Sequence, residues 1–460
     1  MSAASARSWL AELAWSPQLG LRRNVLIEAA GEVFTDVAPD TSDVPANVLR
    51  LRGLVLPGLA NAHSHAFHRA LRGITQASRG TFWTWRERMY EVAGRLDPDS
   101  YLALARAVYG EMALAGISCV GEFHYLHHGP GGVPYADPNQ MSMALIQAAA
   151  EAGLRITLLD TCYLSGGLDP EGAALPLNGQ QRRFGDGDGG RWAARVQRLG
   201  VGPDGMLGAD ARIGAAIHSV RAVPPAQMPA VIGWAHHHAA PLHVHLSEQV
   251  AENTACYAAY GGSPAQVLQE AGALGPRTSA VHATHLTGAD IGLLGRSQTY
   301  ACFCPTTEAD LADGIGPASQ LTAAGSPLTL GSDSHAVIDL LEEARRLELG
   351  ERLVTRERGH FTAAELAVAA TLTGHASLGW PAAGQIAPGA LADLVAVDLN
   401  SPRTAGASPE TALESVIFAA TAADVTDVVI GGRDVVRDGR HQLLGDVPAQ
   451  LSAAIAAVLP

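Results

Sequence analysis

The sequence contains no lysine: all 31 basic residues are arginine. A lysine Schiff base is thereby excluded, and so is the carboxylated lysine that bridges two metal ions in some hydrolases. Cysteine is sparse and forms no CxxC pair among its five residues, and the opening MSAASARSWLAELAW lacks a continuous apolar h-region. An odd number of thiols without a signal peptide suits a reducing compartment, so a cytoplasmic location is expected. Cys302 and Cys304 lie in an apolar run and are expected in the core. Uninterrupted apolar runs of membrane-spanning length are missing, so no membrane partner is expected. Positive charge is in deficit, with a formal net charge of -14, which argues against a nucleic-acid partner.

What is present suits an α/β enzyme. Hydrophobic residues make up 47% of the 460, with 50 glycines and 26 prolines to serve turns. Short β-like pieces (NVLIEAA, EVFTDV, VLRLRGLVLP) fill residues 20–57, and pieces of the same character (ADLVAVDL, ESVIFAA, DVVIGGRDVV) follow residue 384. Two β-rich ends predict a small β-sandwich domain built from both termini, 1–57 and 384–460, around a middle domain of 58–383. In that middle, eight apolar runs alternate with helical segments, at 58–65, 119–125, 155–163, 212–220, 241–248, 278–285, 299–308 and 327–335. Eight is the number of strands in a (β/α)8 TIM-type barrel, and nearly every run ends in polar or titratable residues, as the C-terminal mouth of such a barrel requires. Residues 164–210, with FGDGDGGRW, read as either a mobile lid or a tolerated insertion. The tail LSAAIAAVL reads as a terminal helix.

The run LPGLANAHSHAFHR, residues 56–69, ends in His63-Ser64-His65. Side chains two apart on a strand share a face, so one strand end can offer two imidazoles to one ion. The fifth run offers His243 and His245, which also share a face and are not separable by spacing, followed by Glu248. The sixth ends in His282 and the eighth carries Asp333. Two imidazoles, a third and a carboxylate form an N/O donor set with room for water, which a divalent ion would activate near neutral pH. Glu248 is placed like a general acid/base and His282 like a donor that polarises the atom under attack.

His63-Ser64-His65, His245, Glu248, His282 and Asp333, in this order, resemble the amidohydrolase superfamily, as do TLTGHASLG and GQIAPGALADLVAVD. The resemblance selects His245 over His243 and implies metal ligation by His63, His65, His245 and Asp333, with Glu248, His282 and Asp333 catalytic. It implies one divalent ion per subunit, Zn2+, because His218 stands where a bridging lysine would be. Within the superfamily, NAHSHAFHRAL, FWTWRERMYE, GEFHYLHH, HSVRAV, HVHLSEQ, VHATH, TEADLADGI and GSDSH resemble the formimidoylglutamate deiminases. That implies hydrolytic deimination of N-formimino-L-glutamate to N-formyl-L-glutamate and ammonia, in histidine degradation, by an enzyme that forms a homodimer. It also implies substrate contacts from Arg86, Tyr125, His218, Arg221 and His68.

His68 stands where these enzymes commonly have glutamine, which brings in a side chain whose charge can vary with pH. Asp310 replaces a more usual asparagine and has no assigned role. The substrate is a dicarboxylate, and guanidinium groups hold carboxylates through paired hydrogen bonds, so Arg86 and Arg221 suit it. A rival reading is another deaminase of the superfamily acting on an aromatic amidine or purine; a barrel retained only as a binding scaffold would be expected to have lost ligands. Of the other histidines, His127, His128 and His236 to His238 are expected on the surface or in loops, His285 and His335 behind or at the rim of the site. Trp83 and Trp85 are expected to pack the segment that carries Arg86.

Overall fold

The computed structural model describes residues 6–459 except 43–44, 46–47, 78 and 200–206. Eight parallel strands, Leu59–Ser64, Ile117–His124, Arg155–Cys162, Ala211–Ile217, Leu242–Leu246, Thr278–His282, Tyr300–Phe303 and Leu328–Leu330, pair in sequence order. The first and eighth meet through a bridge between Ser64 and Asp333. There the amides of Ser332 and Asp333 donate to the His63 carbonyl at 3.1 and 3.0 Å, and the His65 amide donates to the Asp333 carbonyl at 3.2 Å. Closure this tight needs Gly331: a Cβ on it would lie 2.8 Å from both Cβ and the carbonyl oxygen of His63. The barrel is the expected (β/α)8 architecture, with strands of nearly continuous burial because helices cover their outer side.

The observed strands stop short of the apolar runs that announce them. Glu248 and Asp333 lie past the last ladder residue, and Ser247, His282, Asp333 and His335 have φ of 50°, 69°, 38° and 58°. A non-glycine residue in the left-handed region cannot continue a strand, so the chain turns where the candidate ligands sit.

Both termini build a second sheet of eight strands, in which Leu394–Val397 lies antiparallel to Leu49–Pro57 and joins the two chain ends. Alternation divides its side chains between two cores. Leu54, Leu56, Val395 and Val397 face the core shared with the barrel, whereas Val55, Leu394 and Ala396 face a smaller one with Trp9, Ile27 and Phe34. The last helix spans Val447–Val458, as the alanine-rich tail predicts. Among the described residues no helix is long and apolar enough to cross a membrane.

Where they are described, residues 164–210 are tied to the barrel by hydrogen bonds. The Arg183 carbonyl accepts from the His127 and His128 amides at 3.1 and 2.9 Å, and its guanidinium donates to the carbonyls of His128, at 2.8 Å, and of Leu96, at 2.6 Å. Arg195 binds Asp160 at the end of the third barrel strand through two hydrogen bonds, at 2.7 and 2.9 Å. Two buried guanidiniums thus weld this segment to the barrel. The same welding corrects the reading of His127 and His128, which are buried. His127 Nε2 donates to the Thr161 carbonyl at 2.8 Å and His128 Nε2 pairs with Asp186 at 3.1 Å. His236, His237 and His238 are exposed, as expected, and all five cysteines are buried and free.

Candidate active site

Each barrel strand delivers its polar residue to one end, and there His63, His65, His245 and Asp333 converge, with one ligand atom from each inside 4.8 Å. Nε2 of His63 and Nε2 of His65 each lie 3.2 Å from Oδ1 of Asp333, and Nε2 of His245 lies 3.1 Å from that of His63. The tautomers of two of these rings are fixed from behind. Nδ1 of His65 donates to the Phe123 carbonyl at 2.9 Å, and Nδ1 of His245 to the His218 carbonyl at 3.0 Å. With those protons committed, both Nε2 atoms present lone pairs inward. His65 Nε2 then faces Asp333 Oδ1 as acceptor to acceptor, an arrangement that repels until a cation stands among the donors. Burial pushes His63 down to about 4 and His245 well below the usual histidine range, so both rings are neutral, as ligands must be. Three imidazoles and one carboxylate fit a single divalent ion of zinc type. His243, the other imidazole of that strand, is buried but does not belong to this group.

His282 stacks on His245 with ring centroids 5.5 Å apart. Its Nδ1 lies 3.3 Å from Glu308 and its Nε2 3.9 Å from Glu248. Burial alone would lower its pKa, but the two carboxylates outweigh it and hold His282 well above the usual value, as an imidazolium. Glu248 also faces the Arg221 guanidinium at 3.9 Å, and Arg221 Nε lies 3.5 Å from the buried Glu252.

A cleft of about 550 Å³, counting the space open at its mouth, lies over this group. His68, Arg86, Tyr125, His218 and Arg221, expected from separate parts of the sequence, all line it together with His65, His245, Glu248, His282 and Asp333. His68 Nε2 is 2.9 Å from the Tyr125 hydroxyl, and burial drives its pKa well below the histidine norm. The ring is therefore neutral at ordinary pH, and this contact does not switch as its residue type alone suggests. Trp85 meets the His68 ring edge to face at 5.2 Å; the Trp83 side chain lies outside the described residues. His335 bridges Ser64 and Ser332 at 3.2 and 3.0 Å, behind the ligands. Asp310 is exposed and accepts from Gln76 at 2.7 Å, away from the cleft lining.

Several residues of the site escape a reading of the sequence. Glu122, fully buried, accepts from Ser64 Oγ and the Ala66 amide, both at 2.7 Å, and so clamps the turn between the first two histidines; burial raises its pKa to about 7. Tyr90 was detectable, because it stands four residues after Arg86 on the helix Phe82–Arg95 and thus on the same face. Phe184 and Gln181 left no local signal, since each is brought in by a distant segment, whereas Tyr163 and Glu308 close the apolar runs 155–163 and 299–308 without any spacing that singles them out.

The sequence model of the amidohydrolase family matches residues 54–435. The chain is similar to a formimidoylglutamate deiminase of Pseudomonas aeruginosa, at 39% identity over 442 residues, covering 94% of this chain and 95% of that protein. It is also similar to an 8-oxoguanine deaminase of Pseudomonas aeruginosa, at 32% over 423 residues, covering 90% and 88% respectively. Among solved structures, an amidohydrolase from Brucella melitensis superposes with a TM-score of 0.88 at 32% identity, over 99% of this chain and 100% of that one.

Proposed function

The chain belongs to the amidohydrolase family, as a hydrolase acting on C–N bonds, and from that premise we propose that it converts N-formimino-L-glutamate and water to N-formyl-L-glutamate and ammonia. The observation that carries this reading is the presence of two guanidiniums, Arg86 and Arg221, in the cleft that also holds the His63, His65, His245 and Asp333 group. A dicarboxylate with a terminal amidine needs both ends of such a cleft; a neutral purine needs no pair of cations. The 39% identity to a formimidoylglutamate deiminase supports the same choice over the purine alternative.

In this reading one zinc ion is held by the four-residue group and supplies Lewis acidity toward a water molecule and the substrate. Asp333 accepts the proton of the attacking water, whose oxygen bonds to the formimino carbon. Glu248 relays to the terminal nitrogen first the proton taken up by Asp333 and then that of the new hydroxyl, so that the nitrogen leaves as ammonia when its bond to that carbon breaks and the oxygen becomes the formyl carbonyl. The His282 imidazolium lies 3.9 Å from Glu248 and stabilises charge that develops at the reacting centre. Arg86 and Arg221 hold the two substrate carboxylates, and His68, Tyr125 and His218 complete the wall. In this reading the enzyme acts in histidine degradation, in the cytoplasm.

The test is ammonia release from N-formimino-L-glutamate by zinc-loaded protein, with the organic product identified by mass. N-formyl-L-glutamate is the expected product. Formamide, or ammonia released only from purines, would refute the reading.

A further inference from the structure

Gln181 lies in the segment 164–210, outside every barrel strand, yet it is buried and its amide nitrogen reaches two phenols of the cleft. Nε2 donates to the hydroxyls of Tyr90 and Tyr163, both at 3.0 Å. The amide orientation is fixed independently: Oε1 accepts from the Asn178 backbone N–H at 3.0 Å, and a backbone N–H can only donate, so the NH2 must face the tyrosines. Arg86 approaches the same two hydroxyls from the other side, Nε to Tyr90 at 2.7 Å and Nη2 to Tyr163 at 3.3 Å.

Each phenol oxygen thus faces one donor from Gln181, whose NH2 lies farther, at 3.3 Å, from the Gly166 carbonyl, and one from Arg86. Two donors at each phenol oxygen occupy its lone pairs and turn its O–H away from Gln181 and Arg86, toward the cleft or toward the neighbouring phenol, with which Tyr90 shares a side-chain hydrogen bond. Burial raises the pKa of Tyr90, so its proton is kept. Phe184, three residues after Gln181, packs edge to face on Tyr163 at 5.4 Å and on Tyr125 at 5.0 Å, which seats the segment against the cleft.

We propose that Gln181 is a positioning residue that turns the Tyr90 and Tyr163 hydroxyls into donors and, with Arg86 beside them, completes one carboxylate subsite of the cleft. The inference rests on the dicarboxylate reading of the substrate and adds to it a determinant of specificity outside the barrel. Segment 164–210 then acts in recognition, through contacts made to the phenols and none to the reacting atoms.

The test compares wild type with Gln181→Glu, which keeps the shape but replaces two N–H donors with acceptors that draw the phenolic protons toward position 181. KM for N-formimino-L-glutamate is expected to rise tenfold or more while kcat falls less than threefold, and calorimetric affinity for N-formyl-L-glutamate should fall in parallel. An unchanged KM, or a loss confined to kcat, would overturn the proposal. Should Gln181→Glu not fold, Tyr163→Phe carries the test with a threefold to tenfold rise in KM, and a wild-type KM there is equally fatal. If wild type turns over no N-formimino-L-glutamate, the substrate reading fails. The subsite survives that failure only if N-formyl-L-glutamate still binds and Gln181→Glu weakens it.

Discussion

Arg155 and Asp393 meet in a buried two-point ion pair, Nε to Oδ2 at 3.0 Å and Nη2 to Oδ1 at 3.3 Å, at the foot of the third barrel strand. Asp393 precedes the strand Leu394–Val397 and also accepts from the Gly431 amide at 2.7 Å, so the pair ties the barrel floor to the terminal sheet. Removing Asp393 leaves the buried Arg155 guanidinium with only Asp210 and the more exposed Glu32, among the described residues, to face its charge. Asp393→Ala is expected to cost about 3–5 kcal/mol, read by denaturant unfolding of the metal-loaded protein.

Glu248→Gln keeps the size of the side chain and leaves the four-residue metal group untouched. Turnover should fall by about 10²–10⁴-fold while the metal content by elemental analysis stays at the wild-type level. Near-normal turnover would remove Glu248 from its proton-transfer role.

On the proposed reading, Arg86→Met and Arg221→Met each delete a charge-assisted contact to a substrate carboxylate. KM for N-formimino-L-glutamate should rise roughly tenfold to a hundredfold in each, on the scale of one hydrogen bond to a charged group. An unchanged KM in both variants would reopen the purine alternative.

Gly331→Ala places a methyl group against the backbone and Cβ of His63 at less than 3 Å, at the seam of the barrel. The first and eighth strands must part there, and with them His63 and Asp333. A loss of about 1–3 kcal/mol in stability is expected. Zinc affinity, measured by competition with a chelator, should fall as well.

Acid should destabilise the fold over a window that can be named. Burial, reinforced by Arg195, lowers His127 to about 4, and burial lowers its neighbour His124 well below the usual range. Between pH 6.5 and about 4 the unfolded chain takes up protons on these rings that the folded chain refuses, so stability falls as the pH falls, by roughly 1 kcal/mol per pH unit for each proton. His127→Gln should flatten the decline in Tm across that window, and an identical slope would exclude His127 from it.

The metal group was legible because its signal is local: the spacing of His63 and His65 fixes a shared face, and Glu248 follows His245 by three residues. The barrel was legible for the same reason, as eight apolar runs ending in polar residues. The strand ends were not. Ser247, His282 and Asp333 leave the β region at the very positions where function begins, and residue type does not announce that a histidine or an aspartate will adopt a positive φ. His127 and His128 do lie in a loop, but their burial was not legible because their partners, Thr161, Asp186 and the Arg183 carbonyl, arrive from far along the chain. Gln181 was hidden for that reason too.

The strand Leu49–Pro57 ends one residue before the strand that carries His63, and the intervening Gly58 donates its amide to the Asp393 carbonyl at 3.0 Å. The terminal sheet and the metal centre are thus consecutive lengths of one taut line, pinned at a single knot. Melting of the sheet would slacken that line at its histidine end, so thermal unfolding of both should coincide in one calorimetric transition. Chelating the ion should then lower the melting temperature of strands that never touch it.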